Sequence, residues 1–195
     1  MNRDQLIKRL HGHEWSDAEF KEAQHDVPKS AYETVSAFSN THGGWLVFGV
    51  RETGAGYEVS GVAQVDRIQN DFLSALRADN KVNHDIRVET VLIEVEGKLV
   101  LVFRIPEASR QHKPIYLNGD IRRSFIRCGA RDHRCTMTEI ERFLRDSAEE
   151  RWDGQVCDFP VKKAFDRNSL KWYRARFREA NPGHDDTRPD QDFLY

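Results

Sequence analysis

Nowhere does this chain hold a run of about 18 apolar residues, so the sequence contains no transmembrane helix. The opening MNRDQLIKRL lacks the apolar core of a secretory leader, and a cytoplasmic protein is expected. Cysteine is scarce: Cys128, Cys135 and Cys157 are all there are, an odd set that excludes a disulfide framework. Cys128, His133 and Cys135 lie close in sequence, but they lack finger spacing and an evident fourth ligand, so they read as an ordinary imidazole and ordinary thiols. Charge of one sign is also missing. Thirty basic against 32 acidic residues leave a formal net charge of -2, which excludes a protein that coats DNA with a wholly basic surface. Binding to nucleic acid would need a local patch. No Gly-Lys-Ser/Thr follows the one glycine pair, and a helix precedes it, so a P-loop is excluded. No internal repeat or low-complexity segment occurs.

What is present suits one folded domain with an appendage. The 195 residues are 38% hydrophobic and 32% charged, enough for a proper core. The stretch 37–50, AFSNTHGGWLVFGV, organises the rest. Ahead of it Asp26 can cap a helix and Pro28 suits its first turn. Ala31, Val35 and Phe38 then form one apolar stripe. Gly43 or Gly44 ends the helix, and the pair could also admit a phosphate or base close to the backbone. Residues 45–50 carry no charge and read as a central strand buried on both faces, with Gly49 marking a bulge or a close approach. Gly54 and Gly56 mark the exit turn. Asn40, Gly43 and Gly44 are the structural junction.

A short amphipathic helix is predicted at 4–10 and an extended segment at 14–21, with Glu19 and Lys21 on one face of it. Residues 65–79 show helical spacing of Ile68, Phe72, Leu73 and Leu76. Two hairpins follow, 87–95 with 99–105 around Glu96-Gly97-Lys98, and 113–117 with 122–127 around Asn118-Gly119. Thr136 and Glu139 form a capping box ahead of a helix ending near Glu150. Composition then shifts: an extended segment at 152–160, a last helix at 166–180, a polar linker at 181–192, and an apolar Asp192-Phe193-Leu194-Tyr195 end. The expectation is an α+β fold, a mixed sheet with helices packed on its faces. Residues 1–150 form the domain, and 151–195 an extension leading toward a further domain of a longer protein.

Two constellations carry chemistry. Lys113, Arg122, Arg123, Arg127, Arg131 and Arg134, with Arg110 and His112 nearby, are candidates for a phosphate-facing surface. Glu14, Glu19, Lys21 and Glu52 are candidates for catalysis. Carboxylates that converge can hold Mg²⁺ or Mn²⁺, and a lysine beside them can stabilise charge or activate water. The same Glu19 and Lys21 can equally form a plain salt bridge on a strand.

Glu14-xxxx-Glu19-Phe20-Lys21, the block Ala37-Phe38-Ser39-Asn40-Thr41-His42-Gly43-Gly44 and the strand Leu46-Val47-Phe48-Gly49-Val50 together resemble the Schlafen/AlbA-like family, once called a divergent AAA domain. Phe125-Ile126-Arg127-Cys128-Gly129 looks like that family's Tyr-x-Arg-x-Gly strand, and the resemblance covers roughly 12–150. It implies a nucleic-acid-binding domain of a transcriptional regulator, followed in the full chain by ATPase-like and winged-helix regions. It also implies, from the animal Schlafen branch, an endoribonuclease with three metal-holding carboxylates matching Glu14, Glu19 and Glu52. The last stands where the family has Asp, one methylene longer. Cys128 stands where the family has an aliphatic residue and reads as packing. Three functions therefore stand side by side: a DNA- or RNA-binding module, a divalent-metal-dependent ribonuclease, and a homodimerisation or interaction module using the sheet edge.

Overall fold

The computed structural model describes residues 1–11, 15–54, 56–78, 81–147, 166–183 and 189. Glu14, Cys157, the segment 152–160, the end of the helix near Glu150, most of the linker 181–192 and the ending Asp192–Tyr195 lie outside the described residues. The chain divides into two compact units, Met1–Glu149 and Glu150–Tyr195.

In the first unit a helix α1 (Arg3–Leu10) opens on a capping box. Asn2 accepts from the Gln5 N–H, and Gln5 accepts from the Asn2 N–H. Then come β1 (Ala18–Lys21), α2 (Lys29–Asn40) and β2 (Gly44–Phe48). Strands β3 (Val50–Thr53) and β4 (Gly56–Val59) precede α3 (Val65–Arg77), which is followed by β5 (Glu89–Val95) and β6 (Lys98–Ile105). The unit closes with β7 (Tyr116–Leu117), β8 (Asp120–Cys128), β9 (Arg131–Arg134) and α4 (Met137–Ser147). The main sheet has the order β1-β2-β6-β5. Its first pair is parallel, joined through α2, and the other two pairs are antiparallel. The fold is thus α+β with a mixed sheet and helices on its faces.

Alternation along β2 sends side chains to two cores. Leu46 and Phe48 join Phe38, Phe72 and Phe103 in the larger one. There Phe48, Phe72 and Phe103 meet at centroid distances of 4.6–5.3 Å, tilted or edge-on as aromatic quadrupoles favour. Val47 faces the other way, with Val100, Val102, Ile93 and Leu6 of α1.

Helix α2 departs from the simple stripe. Thr34, Ser36, Ser39 and Asn40 are as buried as Ala31, Val35 and Phe38, because α2 packs against both the main sheet and the separate β7-β8-β9 sheet. Thr34, Ser36 and Asn40 are satisfied across that second seam, while Ser39 Oγ is buried without a partner among the described residues. Ser36 Oγ donates to Ile115 O (2.7 Å) and accepts from Phe125 N (3.0 Å). Asn40 Nδ2 donates to Ile115 O and Phe125 O, both at 2.9 Å, while its Oδ1 accepts from Ile115 N at 2.7 Å. Thr34 Oγ1 donates to Asp132 Oδ2 at 2.6 Å.

Several sequence expectations need correction. Asp26 does not cap α2; Pro28 occupies the N-cap without a side-chain bond, and Asp26 accepts from Arg67 at 3.2 Å. The glycine pair is shaped by the protein's own packing, not by space for a ligand. A Cβ on Gly43 (φ +71°) would sit 2.7 Å from Ile105 O, and one on Gly44 would sit 2.5 Å from the Phe38 ring. Gly49, at φ +94°, does more than bulge a strand: it ends β2. Its N–H is shared by the carbonyls of Lys21 and Glu22, and its own carbonyl accepts from the N–H groups of Ser60 and Gly61. The chain beyond it leaves the main sheet and pairs as the β3–β4 hairpin. Strands β4 and β9 have no counterpart in the sequence expectation.

In the second unit α5 (Arg167–Ala180) is capped by Asp166, which accepts from Ser169 N at 2.8 Å. Among the described residues no helix is long and apolar enough to cross a membrane.

Candidate functional site

Strand β1 is the floor of the site. Period-2 alternation places Glu19 and Lys21 on one face, where Lys21 Nζ donates to Glu19 Oε1 at 2.7 Å. The other oxygen, Glu19 Oε2, accepts from Arg127 Nη1 of β8 at 2.8 Å. Arg127 also donates from Nη1 to Asp132 Oδ1 (2.9 Å), from Nη2 to Trp15 O (3.1 Å) and Ala18 O (2.9 Å), and from Nε to Ser16 O (3.2 Å). Its guanidinium lies 5.1 Å from the Phe38 ring centroid, and its side chain is 4% exposed. A guanidinium has five N–H donors, and these contacts occupy all of them. Arg127 therefore ties the second sheet to β1 and presents nothing to a phosphate.

Beside this knot an open cleft of about 380 Å³ is lined by Glu19, Lys21, Glu33, Glu52, Tyr57 and Arg131, among others. Glu52 reaches it because Gly49 turns β3 out of the main sheet. The structure thus brings Glu19, Lys21 and Glu52 to one cleft; Glu14 lies outside the described residues. Among the described residues no three His, Cys, Asp or Glu side chains stand close enough to hold a metal ion. Both oxygens of Glu19 are already taken by cations. The described donors therefore do not make a closed metal site.

The arginine candidates do not form one surface. Strand β8 belongs to a different sheet from β2, and its side chains alternate. By the β8–β9 register, Arg122 and Arg131 fall on the face of Ile126, while Arg123, Arg127 and Arg134 fall on the face of Phe125. Arg122 is hydrogen-bonded to Asp120 at 3.1 Å, and that bond holds the Asp120 carboxyl below its ordinary range. Lys113 is spent as well. It is 12% exposed and donates to Glu107 (2.7 Å) and Thr41 O (3.3 Å), and it lowers the Glu107 pKa. Arg131 and Arg134 are exposed and have no ion pair among the described residues; of the six, Arg127 and Arg131 line the cleft, Arg127 with its donors already consumed. Cys128 and His133 fall on one face of the β8–β9 pair, yet among the described residues no three such side chains could hold a metal ion, and Cys128 is exposed rather than a packing residue. Cys135 is buried, which pushes its thiol up to about 12.

Sequence reasoning missed two things here. One is the seam of Ser36 and Asn40; polar residues inside a helix were its only signal. The other is Trp15, half-buried beside the cleft, with Arg9 4.8 Å from its ring centroid.

Comparison with known proteins bears on this geometry. No curated protein matches the chain. The chain is similar to the solution structure of an N-terminal domain from Nitrosomonas europaea, in a protein whose name relates it to the ATP-dependent DNA helicase RecG. Identity is 33%, over 70% of this chain and 95% of that one, with a TM-score of 0.52. It is also similar, at 18% identity and a TM-score of 0.49, to the DIP2311 protein of Corynebacterium diphtheriae, matching 98% of this chain but 36% of that one. The sequence model of the family described as Schlafen, AlbA_2 matches residues 14–136, more than half of the 195. That span takes in the cleft strand β1, the Asn40–Gly44 junction and the Arg127 knot, and the chain belongs to the Schlafen AlbA_2 family.

Proposed function

We propose that the Met1–Glu149 unit is a nucleic-acid-binding domain serving a transcriptional regulator, and that the backbone of its ligand lies along the cleft beside β1. One observation carries this reading. Arg131 stands exposed and without an ion pair among the described residues at the cleft, while Glu19, one of its enclosed carboxylates, is already neutralised by Lys21 and Arg127. A phosphate entering there meets a guanidinium with no ion pair among the described residues and a compensated acid. Membership of the family and similarity to the domain of the RecG-related protein support the class of ligand. The test is a salt titration of binding to a labelled oligonucleotide. The logarithm of affinity should fall linearly with the logarithm of salt, and Arg131→Ala should shallow that slope by about 1. A flat slope in the parent protein discards the reading.

A second reading is divalent-metal-dependent cleavage of RNA. It is favoured by the meeting of Glu19, Lys21 and Glu52 in one cleft, with Glu14 as the remaining carboxylate of the set and Mg²⁺ or Mn²⁺ as the ion. RNA should then be cut when Mn²⁺ is added, and the activity should vanish in Glu19→Ala. Cleavage that survives this substitution comes from another enzyme.

A further inference from the structure

Next to the cleft is a second cavity, of about 320 Å³, lined by Gln5, Lys8 and Arg9 of α1 together with Trp15 and Trp45. Trp15 lines both spaces, so one indole borders the acid–lysine cleft on one side and this pocket on the other. Each tryptophan carries a guanidinium over its ring: Arg9 lies 4.8 Å from the Trp15 centroid, and Arg104 lies 5.3 Å from that of Trp45. The arrangement is held in place. Arg9 makes a fork to Asp17 with both bonds at 2.7 Å, Trp15 Nε1 donates to Arg9 O at 3.2 Å, and Arg104 is the cross-strand partner of Trp45.

Trp45 packs in part on the core of Val47 and Leu6, which would explain a half-buried tryptophan without any ligand. Core packing does not explain why two indoles border one open pocket with Lys8 and Arg9 at its edge. Arg9 is already answered by Asp17, but an aliphatic ligand would desolvate Lys8 without answering it. A methylated cation would meet like charge. A flat ring bearing a phosphate satisfies both, because aromatic faces stack on any base and cations hold the backbone. The volume lies at the small end of the roughly 300–1,000 Å³ usual for ligand pockets, suited to a single ring system. In a duplex the bases are stacked inside and cannot reach an indole.

The geometry points to a base-stacking pocket for single-stranded nucleic acid, with one unstacked base entering between Trp15 and Trp45 and the backbone continuing past Trp15 into the cleft. This rests on the nucleic-acid reading above and sharpens it to a strand class. The test uses the whole chain. A short single-stranded oligonucleotide and the same sequence as a duplex are titrated while tryptophan fluorescence and anisotropy of the labelled nucleic acid are followed. The single strand should bind more tightly and quench the fluorescence. Trp45→Leu should weaken single-strand binding by about tenfold or more and leave duplex binding unchanged, while Trp45→Phe should stay near the parent. Single-strand binding unaltered in Trp45→Leu overturns the pocket and leaves the general nucleic-acid reading intact. Absence of binding to either form overturns both. Should Trp45→Leu fail to fold, the parent protein decides: a nucleoside monophosphate must quench it and ribose 5-phosphate must not, and equal responses to the two overturn the pocket.

Discussion

The seam between α2 and β8 and the cleft beside β1 use arginine to opposite ends. In the seam, Ser36, Asn40 and Arg127 are buried or nearly so, and the carbonyls and carboxylates they face all lie within the fold. In the cleft, Lys21, Glu52 and Arg131 keep their heads near water. The two regions share Glu19, one oxygen in each. An arginine therefore says little by its presence on a strand. What matters is how many of its donors the fold has consumed: five for Arg127, with no ion pair among the described residues for Arg131.

That contrast can be broken from the seam side first. Arg127→Ala should destabilise the domain by about 3–5 kcal/mol, since Asp132 and three carbonyls lose their partner in a buried setting. Arg127→Lys should rescue little of this, because an ammonium cannot reproduce the fork. Urea denaturation checks both. Next, Asn40→Ala should cost about 2–3 kcal/mol, as the Ile115 N–H and the Phe125 carbonyl are left unpaired in the core. Gly44→Ala should cost about 1–3 kcal/mol by driving a methyl into the Phe38 ring, with a lowered melting temperature as its readout.

From the cleft side the expected effects on stability are small. Arg131→Ala should leave the unfolding free energy within about 0.5 kcal/mol, while its salt slope for oligonucleotide binding changes. A large loss of stability there would erase the distinction between the regions. The smallest effect is one of pH. The Arg9 fork holds the Asp17 carboxyl below its ordinary range. A lowered folded value means stability that is present above the unfolded value and lost as pH falls through the folded one. Melting temperatures taken from neutral pH downward should therefore fall less on the acid side in Asp17→Asn than in the parent. Half-exposure of Asp17 keeps the difference modest.

Much of the fold could be read because its signals are local. The turns Glu96-Gly97 and Asn118-Gly119 carry positive φ where the hairpins need it, and Thr136–Glu139 closes its capping box within four residues. Strands β4 and β9, reading GYEV and RDHR, were illegible because neither has a clear apolar alternation. Glu19 and Lys21 could be placed on one face by period alone. Arg127 could not be separated from its neighbours, because its partners lie in β1 and at Asp132, and Glu19 is 108 residues away in sequence.

By itself, then, the order of residues determined the helices, the two tight hairpins, the uncharged inner strand and the pairing of Glu19 with Lys21, all of which follow from contacts a few positions apart. Tertiary structure alone decided that β1 runs parallel to β2, that Gly49 sends Glu52 to the cleft, and that Arg127 is sealed while Arg131 has no ion pair among the described residues. Burial and the meeting of distant strands set these, and neither is a property of any short stretch of chain.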